Sequence, residues 1–365
     1  MNARVQGQLI AVVGAAGHTG RFVVRELERR GMLPILIARD ANKLAVVGAG
    51  HDRDRVRLAR MDDPASLDSA LTGASAVINC AGPFFDTALP VIDAALRAAI
   101  PYLDVTAEQI TVQTIIKTRH EAALHAGVVL LPAAAFYGGL ADLLATAAAN
   151  ESEQLDEIHV SVGLDSWHPT AGTRLTGARN IAKRVVQKNG MLTPSEEPPP
   201  HGHWLFPAPL GRQEVIMLPF SEMITLSSHF NVSTIESWIN VAPLRDLRDA
   251  AKPAPQPSDE SGRSSQRFVM DVLVRAGDQL TRATASGRDI YATSASIIVA
   301  AVQKLLTSEA HAMAGVRSLG EIFDARAFLE ALGPDVVQVS YHDVPQSMLE
   351  RQATPGPMAS GAVAR

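Results

Sequence analysis

The sequence predicts an α/β protein: a doubly wound parallel sheet followed by a second, smaller α+β domain on a mixed sheet. Three features carry that expectation. Residues 9–13 are an apolar run ending in the cluster Gly14-Ala15-Ala16-Gly17-His18-Thr19-Gly20, the pattern of a buried strand, a tight turn and a helix. Up to residue 131, short apolar runs alternate with amphipathic stretches, as in a right-handed parallel sheet. From residue 157 the texture changes to alternating runs of mixed or antiparallel strands.

The elements follow in order. A helix at 19–30 sets Phe22, Val23 and Leu27 on its inner face, and Gly31 closes it. Strand 33–38 leads through Asp40, an N-cap, into a short helix at 41–46. Strand 55–61, helix 65–71, strand 76–80 and helix 87–99 continue the alternation, followed by a strand near 102–105, helix 111–125 and strand 128–131. Beyond these, strand 158–163, helix 173–188, a proline loop at 194–209 and strands at 214–218, 223–226 and 233–241 are expected. A hairpin turns at Gly277-Asp278, and an apolar helix at 291–306 returns to the first domain. The domains are thus 1–135 (dinucleotide binding), 136–290 (substrate binding or dimerisation, with a flexible loop at 250–267), 291–343 (helical return) and a disordered tail at 344–365.

Composition excludes several classes. With 365 residues, 47% hydrophobic and 19% charged, the chain fits a compact two-domain protein. A net charge of -5 without a basic tail argues against nucleic acid as a partner. The one cysteine, Cys80, excludes an internal disulfide framework, and the early first strand leaves no signal peptide, so a cytoplasmic location is expected. Residues 128–149 carry one charge, Asp142, yet Pro132, Gly138-Gly139 and the alanines break them into strand, turn and helix; no integral membrane segment is expected. His201 and His203 lack neighbouring cysteines or paired acids, so no metal is expected.

The glycine turn points to a phosphate, because the first N–H groups of a helix lack internal partners and glycine lets an anion approach. Its spacing, Gly-x-x-Gly-x-x-Gly, is one residue longer than the dinucleotide fingerprint. Gly14, Ala16, Gly17, His18, Thr19 and Gly20 are the cofactor-binding candidates of this Rossmann-type turn. At the end of the second strand Arg39, joined by Lys43, suits the 2'-phosphate of NADP; Asp40 keeps NAD as the alternative. Asp62 is read as an acceptor for the adenine amino group or as a cap. The small residues Cys80, Ala81, Gly82 and Pro83, with Phe84, lie where open α/β sheets bind ligands.

Hydride transfer needs a proton donor for the atom that gains charge. The Tyr-x-x-x-Lys solution is excluded: four positions after Tyr102, Tyr137, Tyr291 and Tyr341 stand Thr106, Ala141, Ala295 and Pro345. Tyr137 and Tyr291, each beside a domain junction, remain catalytic candidates, or else packed aromatics. Glu108 is read either as a base or ribose ligand, or as the acid of a helix N-terminus. Arg174, Arg179, Lys183, Arg184 and Lys188 make a basic helix, a solvated face or a site of anion capture.

Gly-Ala-Ala-Gly-His-Thr-Gly-Arg at 14–21, Val-Ile-Asn-Cys-Ala-Gly-Pro-Phe at 77–84 and Tyr-Leu-Asp-Val-Thr-Ala-Glu at 102–108 resemble the saccharopine dehydrogenase-like oxidoreductases. Leu-Pro-Ala-Ala-Ala-Phe-Tyr-Gly-Gly-Leu-Ala-Asp-Leu at 131–143 is similar to that family's entry into its second domain, with Ala-Phe-Tyr where Gly-Phe-Asp is commoner. Gly-Arg-Asp-Ile-Tyr-Ala-Thr at 287–293 resembles its late Gly-x-Asp-Pro-Gly-Tyr-x-x-Thr segment. The resemblance implies an NAD(P)-dependent reductase or dehydrogenase acting on a C=N, C=C or C=O bond of a small or carrier-linked substrate. It also singles out Arg174 for substrate binding, since Ala171-Gly172-Thr173 resembles the entry to the corresponding family helix. A non-catalytic NAD(P) sensor is the alternative, and a homodimer is left open.

Overall fold

The computed structural model describes residues 5–150, 152, 154–307 and 313–352. Its first sheet comprises β1 (Leu9–Val13), β2 (Leu33–Ala38), β3 (Val56–Leu58), β4 (Ala76–Asn79), β5 (Tyr102–Asp104) and β6 (Val129–Leu131). Between them run α1 (His18–Arg29), α2 (Ala41–Val47), α3 (Pro64–Leu71), α4 (Phe84–Arg97) and α5 (Gln109–Ala126). The strands are all parallel, and β4 lies beside β1 in the order β6-β5-β4-β1-β2-β3. The order reverses between β1 and β4, which makes their carboxyl ends the ligand crevice of a doubly wound sheet.

A π-helical turn, Phe136–Leu140, leads into the buried helix α6 (Ala141–Ala149) and the second domain. There β7 (Leu155–Leu164) is followed by α7 (Ala171–Arg179), the hairpin β8 (Val185–Lys188) and β9 (Met191–Pro194), then β10 (His201–Leu205) and β11 (Arg212–Met217). Next come α8 (Glu222–His229), β12 (Val232–Asn240), α9 (Val241–Arg248) and the long hairpin β13 (Arg267–Ala276) and β14 (Gln279–Arg288). The chain ends through α10 (Ile290–Thr307), β15 (Gly315–Val316), α11 (Leu319–Ile322), α12 (Ala325–Leu332), β16 (Val337–Asp343) and α13 (Ser347–Arg351). Among the described residues the second sheet has nine strands and is mixed: β12 and β7 are parallel, and the other pairs are antiparallel. β15 joins the first sheet beside β6, whereas β16 joins the second beside β14.

Period-two alternation along β1 divides the core. Ile10 and Val12 pack in one cluster with Val160, Val272 and Ala283 of the second sheet, while Ala11 and Val13 face the helices on the other side. α10, apolar enough in composition to cross a membrane, is 67% buried and packs on α1.

Four expectations are corrected. The basic stretch is not one helix: α7 stops at Arg179, and Val185 and Val186, β-branched, pair as strand β8 with β9 and β12. The run at 223–226 belongs to α8, because a four-residue apolar run fits either period and burial against the π-turn decides it. The proline loop hides β10, whose Trp204 is fully buried. Of the expected tail, residues 347–351 form α13, and the Leu205 amide donates to Gln352 Oε1 at 2.6 Å; residues 353–365 lie outside the described residues.

Candidate functional site

The turn after β1 is shaped by close approach. Gly14 has φ +82°, and a Cβ there would lie 2.9 Å from the Ala81 nitrogen, so the turn abuts the end of β4. A Cβ on Gly20 would lie 2.2 Å from the Gly14 carbonyl oxygen. α1 begins at an exposed Gly17 with no side-chain cap, and no acid stands in its first turn. Those amides remain open to an anion, beside Ala16, His18 and Thr19. Arg39 is exposed at the end of β2 and has no ion-pair partner among the described residues. Asp40 is spent: its Oδ1 accepts from the Asn42 and Lys43 amides, both at 3.0 Å, and its Oδ2 lies 3.9 Å from the exposed Lys43 ammonium, while Arg39 stays unpaired among the described residues. Asp62 is held by Arg60 in a two-pronged surface pair. These residues fit NADP.

At the end of β4 the buried Asn79 accepts from the Ala81 amide at 3.0 Å, and Thr87 donates to the Ala81 carbonyl at 2.6 Å. Burial pushes the Cys80 thiol well above its ordinary pKa, so it remains a neutral thiol. Pro83 precedes α4, whose Phe84 and Phe85 amides donate to Glu108 at 2.9 Å each. This corrects the catalytic reading of Glu108: it is buried, accepts Thr111 Oγ1 at 2.6 Å, and caps a neighbouring helix. Phe84 likewise has its amide committed and is buried, while Cys80, Ala81 and Gly82 are the half-exposed residues of this turn.

Tyr291 is also reassigned. Its hydroxyl meets Thr173 Oγ1 at 3.0 Å and the Trp167 indole N–H at 3.3 Å, and its ring lies edge-on to His18, 5.1 Å between centroids. It ties α1, α7 and the segment after β7 together. Arg174 is committed too, its guanidinium donating to the carbonyls of Leu247, Asp249 and Lys252.

Tyr137 differs. It follows β6 in the π-turn, its ring packs 4.3 Å from Phe220, and its buried hydroxyl has no partner among the described residues. Burial, with Tyr291 and Glu222 nearby, raises its pKa well above the usual phenol. Two residues beside it were missed from sequence, Trp167 and Glu222, and Arg184, read there only as part of a basic helix, joins them. Arg184 donates to the Pro219 carbonyl at 2.7 Å and sits over the Phe220 ring. Glu222, buried at the start of α8, accepts at Oε1 from the Phe220 amide (2.8 Å) and Ser237 Oγ (2.5 Å). Its signal was available: one acid inside the apolar stretch Phe220-Ser221-Glu222-Met223-Ile224. Ser221 Oγ donates to the Thr106 carbonyl at 3.0 Å, which sets α8 over the carboxyl end of β5.

An open glycine turn at the switch point of a parallel sheet, capped by a mixed-sheet domain, defines a dinucleotide-binding α/β protein. Residues 10–131, about a third of the chain, match the family model described as the saccharopine dehydrogenase NADP binding domain, which supports NADP as the cofactor of the first domain. The saccharopine dehydrogenase-like oxidoreductase of Bos taurus is 30% identical over 155 residues, 37% of this chain and 35% of the relative. That of Rattus norvegicus is 30% identical over 152 residues, with the same coverage. The chain therefore matches about a third of those relatives' length. Apo saccharopine dehydrogenase (L-Glu forming) from Saccharomyces cerevisiae superposes with a TM-score of 0.66 at 12% identity, covering 93% of this chain and all of that one, and so shares the fold.

Proposed function

We propose that this protein is an NADP-dependent oxidoreductase that transfers a hydride to or from a C=N, C=C or C=O bond of a small or carrier-linked substrate. The observation that carries the reading is the uncapped α1 turn, with Arg39 free at the end of β2 and Asp40 engaged elsewhere. The Gly17 amide is engaged by the Gly14 carbonyl at 2.9 Å, so the amides from His18 onward would hold the diphosphate, with Arg39 and Lys43 at the 2'-phosphate and Gly82 in the adjoining turn. Bound NADPH supplies the hydride. Tyr137 supplies the proton or hydrogen bond to the atom that gains electrons, a role for which its unpartnered hydroxyl is suited.

Fluorescence titration with NADPH and NADH tests the reading, together with NADPH absorbance over a panel of imines, enones and ketones. NADPH is expected to bind tighter than NADH, and Tyr137→Phe to lower kcat about 100-fold without weakening NADPH binding. If NADPH binds but none of the panel turns over, the protein is a sensor rather than an enzyme. If neither nucleotide binds, the proposal is wrong.

A further inference from the structure

Among the buried polar atoms of the second domain that nothing in the described structure satisfies are Tyr137 Oη and Glu222 Oε2. They come from different elements, the π-turn after β6 and the first turn of α8, and both flank Phe220. Glu222 is asymmetric. Its Oε1 accepts two hydrogen bonds, whereas Oε2 has none, the pattern of a carbonyl oxygen and a hydroxyl. A bare carboxylate oxygen left buried without a donor would be costly, and a neutral acid avoids that cost. The charged and titratable groups near it are Arg184 and Tyr137, and among the described residues no ion pair joins Glu222 to Arg184. Burial accordingly holds the Glu222 carboxyl above its ordinary pKa, against the opposing pull of Ser237, the Phe220 amide and Arg184.

We propose that Tyr137 and a protonated Glu222 form a two-donor oxyanion site, with Arg184 as the adjacent positive charge, and that the substrate is therefore a carbonyl compound, a ketone or a carbonyl-conjugated alkene, rather than an imine. The inference rests on the hydride-transfer reading above and narrows it. As hydride adds to the carbonyl carbon, or to the β-carbon of an enone, a C–H bond forms and a π pair moves onto the substrate oxygen. NADPH leaves as NADP+, and the oxygen, held by the phenol and the acid, takes a proton from Tyr137, which solvent replaces. For an enone, that proton ends on the α-carbon. Two neutral donors beside a guanidinium stabilise a developing negative oxygen and oppose an iminium cation.

Two measurements on the full chain test this. The first uses p-nitrophenol, whose phenolate absorbs visible light, titrated with and without NADP+. Bound dye is expected to ionise. Tyr137→Phe should weaken binding at least tenfold and Glu222→Leu should abolish it, while Glu222→Gln, which keeps a neutral N–H donor, should lose no more than about tenfold. Dye bound as the neutral phenol, or Glu222→Gln as damaging as Glu222→Leu, overturns the proposal. If Glu222→Leu does not fold, the contrast of Glu222→Gln with Tyr137→Phe decides. The second measurement is the substrate panel: ketones or enones should exceed imines by about 100-fold in kcat/KM, and the reverse order overturns the assignment. Loss of NADPH binding with the dye response intact removes the hydride reading and leaves the donor pair standing.

Discussion

At Gly14 a single hydrogen in place of a methyl decides whether the nucleotide turn can lie against β4. Positive φ and a Cβ 2.9 Å from the Ala81 nitrogen act together, so Gly14→Ala should cost about 1–3 kcal/mol in stability. NADPH affinity should fall at least tenfold; thermal melting and fluorescence titration read the two effects. Arg39 is a different kind of residue, since its surroundings do not hold it. Arg39→Ala should weaken NADPH about 10–100-fold, the worth of one charge-assisted phosphate contact, and leave NADH within about twofold. Equal loss for both nucleotides would place the arginine elsewhere. Asp40 was legible from sequence as an N-cap because capping is local: an acid, then the start of a short helix. Glu108 was not legible, since the amides it caps belong to Phe84 and Phe85, far away in the chain.

Among the elements, α7 shows what a sequence hides. No residue of this helix is buried, so no apolar stripe marks its length or its docking. It is placed by polar ties: Arg179 to Asp86 at 2.5 Å, Thr173 to Tyr291, and Arg174 to three carbonyls. Tyr291→Phe removes the hydroxyl that links α7 to Trp167 while keeping the ring against His18. It should cost about 1 kcal/mol in urea denaturation and change NADPH binding by less than about twofold. A much larger fall in kcat than Tyr137→Phe produces would return Tyr291 to the proton-donor role. The parallel sheet was legible nearly strand by strand, because β1 and β2 are apolar throughout, β4 is apolar up to its final Asn79, and helices separate them. α8 and β10 were not, because their short runs fit two periods and only tertiary packing chooses between them. The glycine turn of the cofactor half, built on consecutive residues, was visible in the sequence as a strand-turn-helix motif. In the other half Tyr137 and Arg184 were singled out separately, but their meeting with Glu222 from three separated segments could not be read.

For the whole molecule, the two sheets share one continuous core cluster, and the chain stitches them again on its return, β15 to the first and β16 to the second. Two domains so joined should unfold in a single calorimetric transition rather than two. One polar junction beneath the stitch carries a pH dependence. His229, in the last turn of α8, meets Asp142 Oδ1 of α6 at 2.6 Å, and Asp142 Oδ2 accepts the Gly320 amide of α11 at 2.7 Å. Burial works to lower the His229 pKa, but the charge and hydrogen bond of Asp142, helped by Glu321, outweigh it and hold the imidazole above its ordinary 6.5. A raised histidine contributes stability that is fully present below 6.5 and disappears as pH rises through the folded value. Glutamine keeps a donor at that position without the charge. The urea-unfolding gap between the native protein and His229→Gln should therefore be about 1–2 kcal/mol at roughly pH 6 and shrink by about pH 9. A gap that stays constant, or widens toward alkaline pH, would mean that the imidazole is neutral in the folded protein and that its contribution there is packing alone.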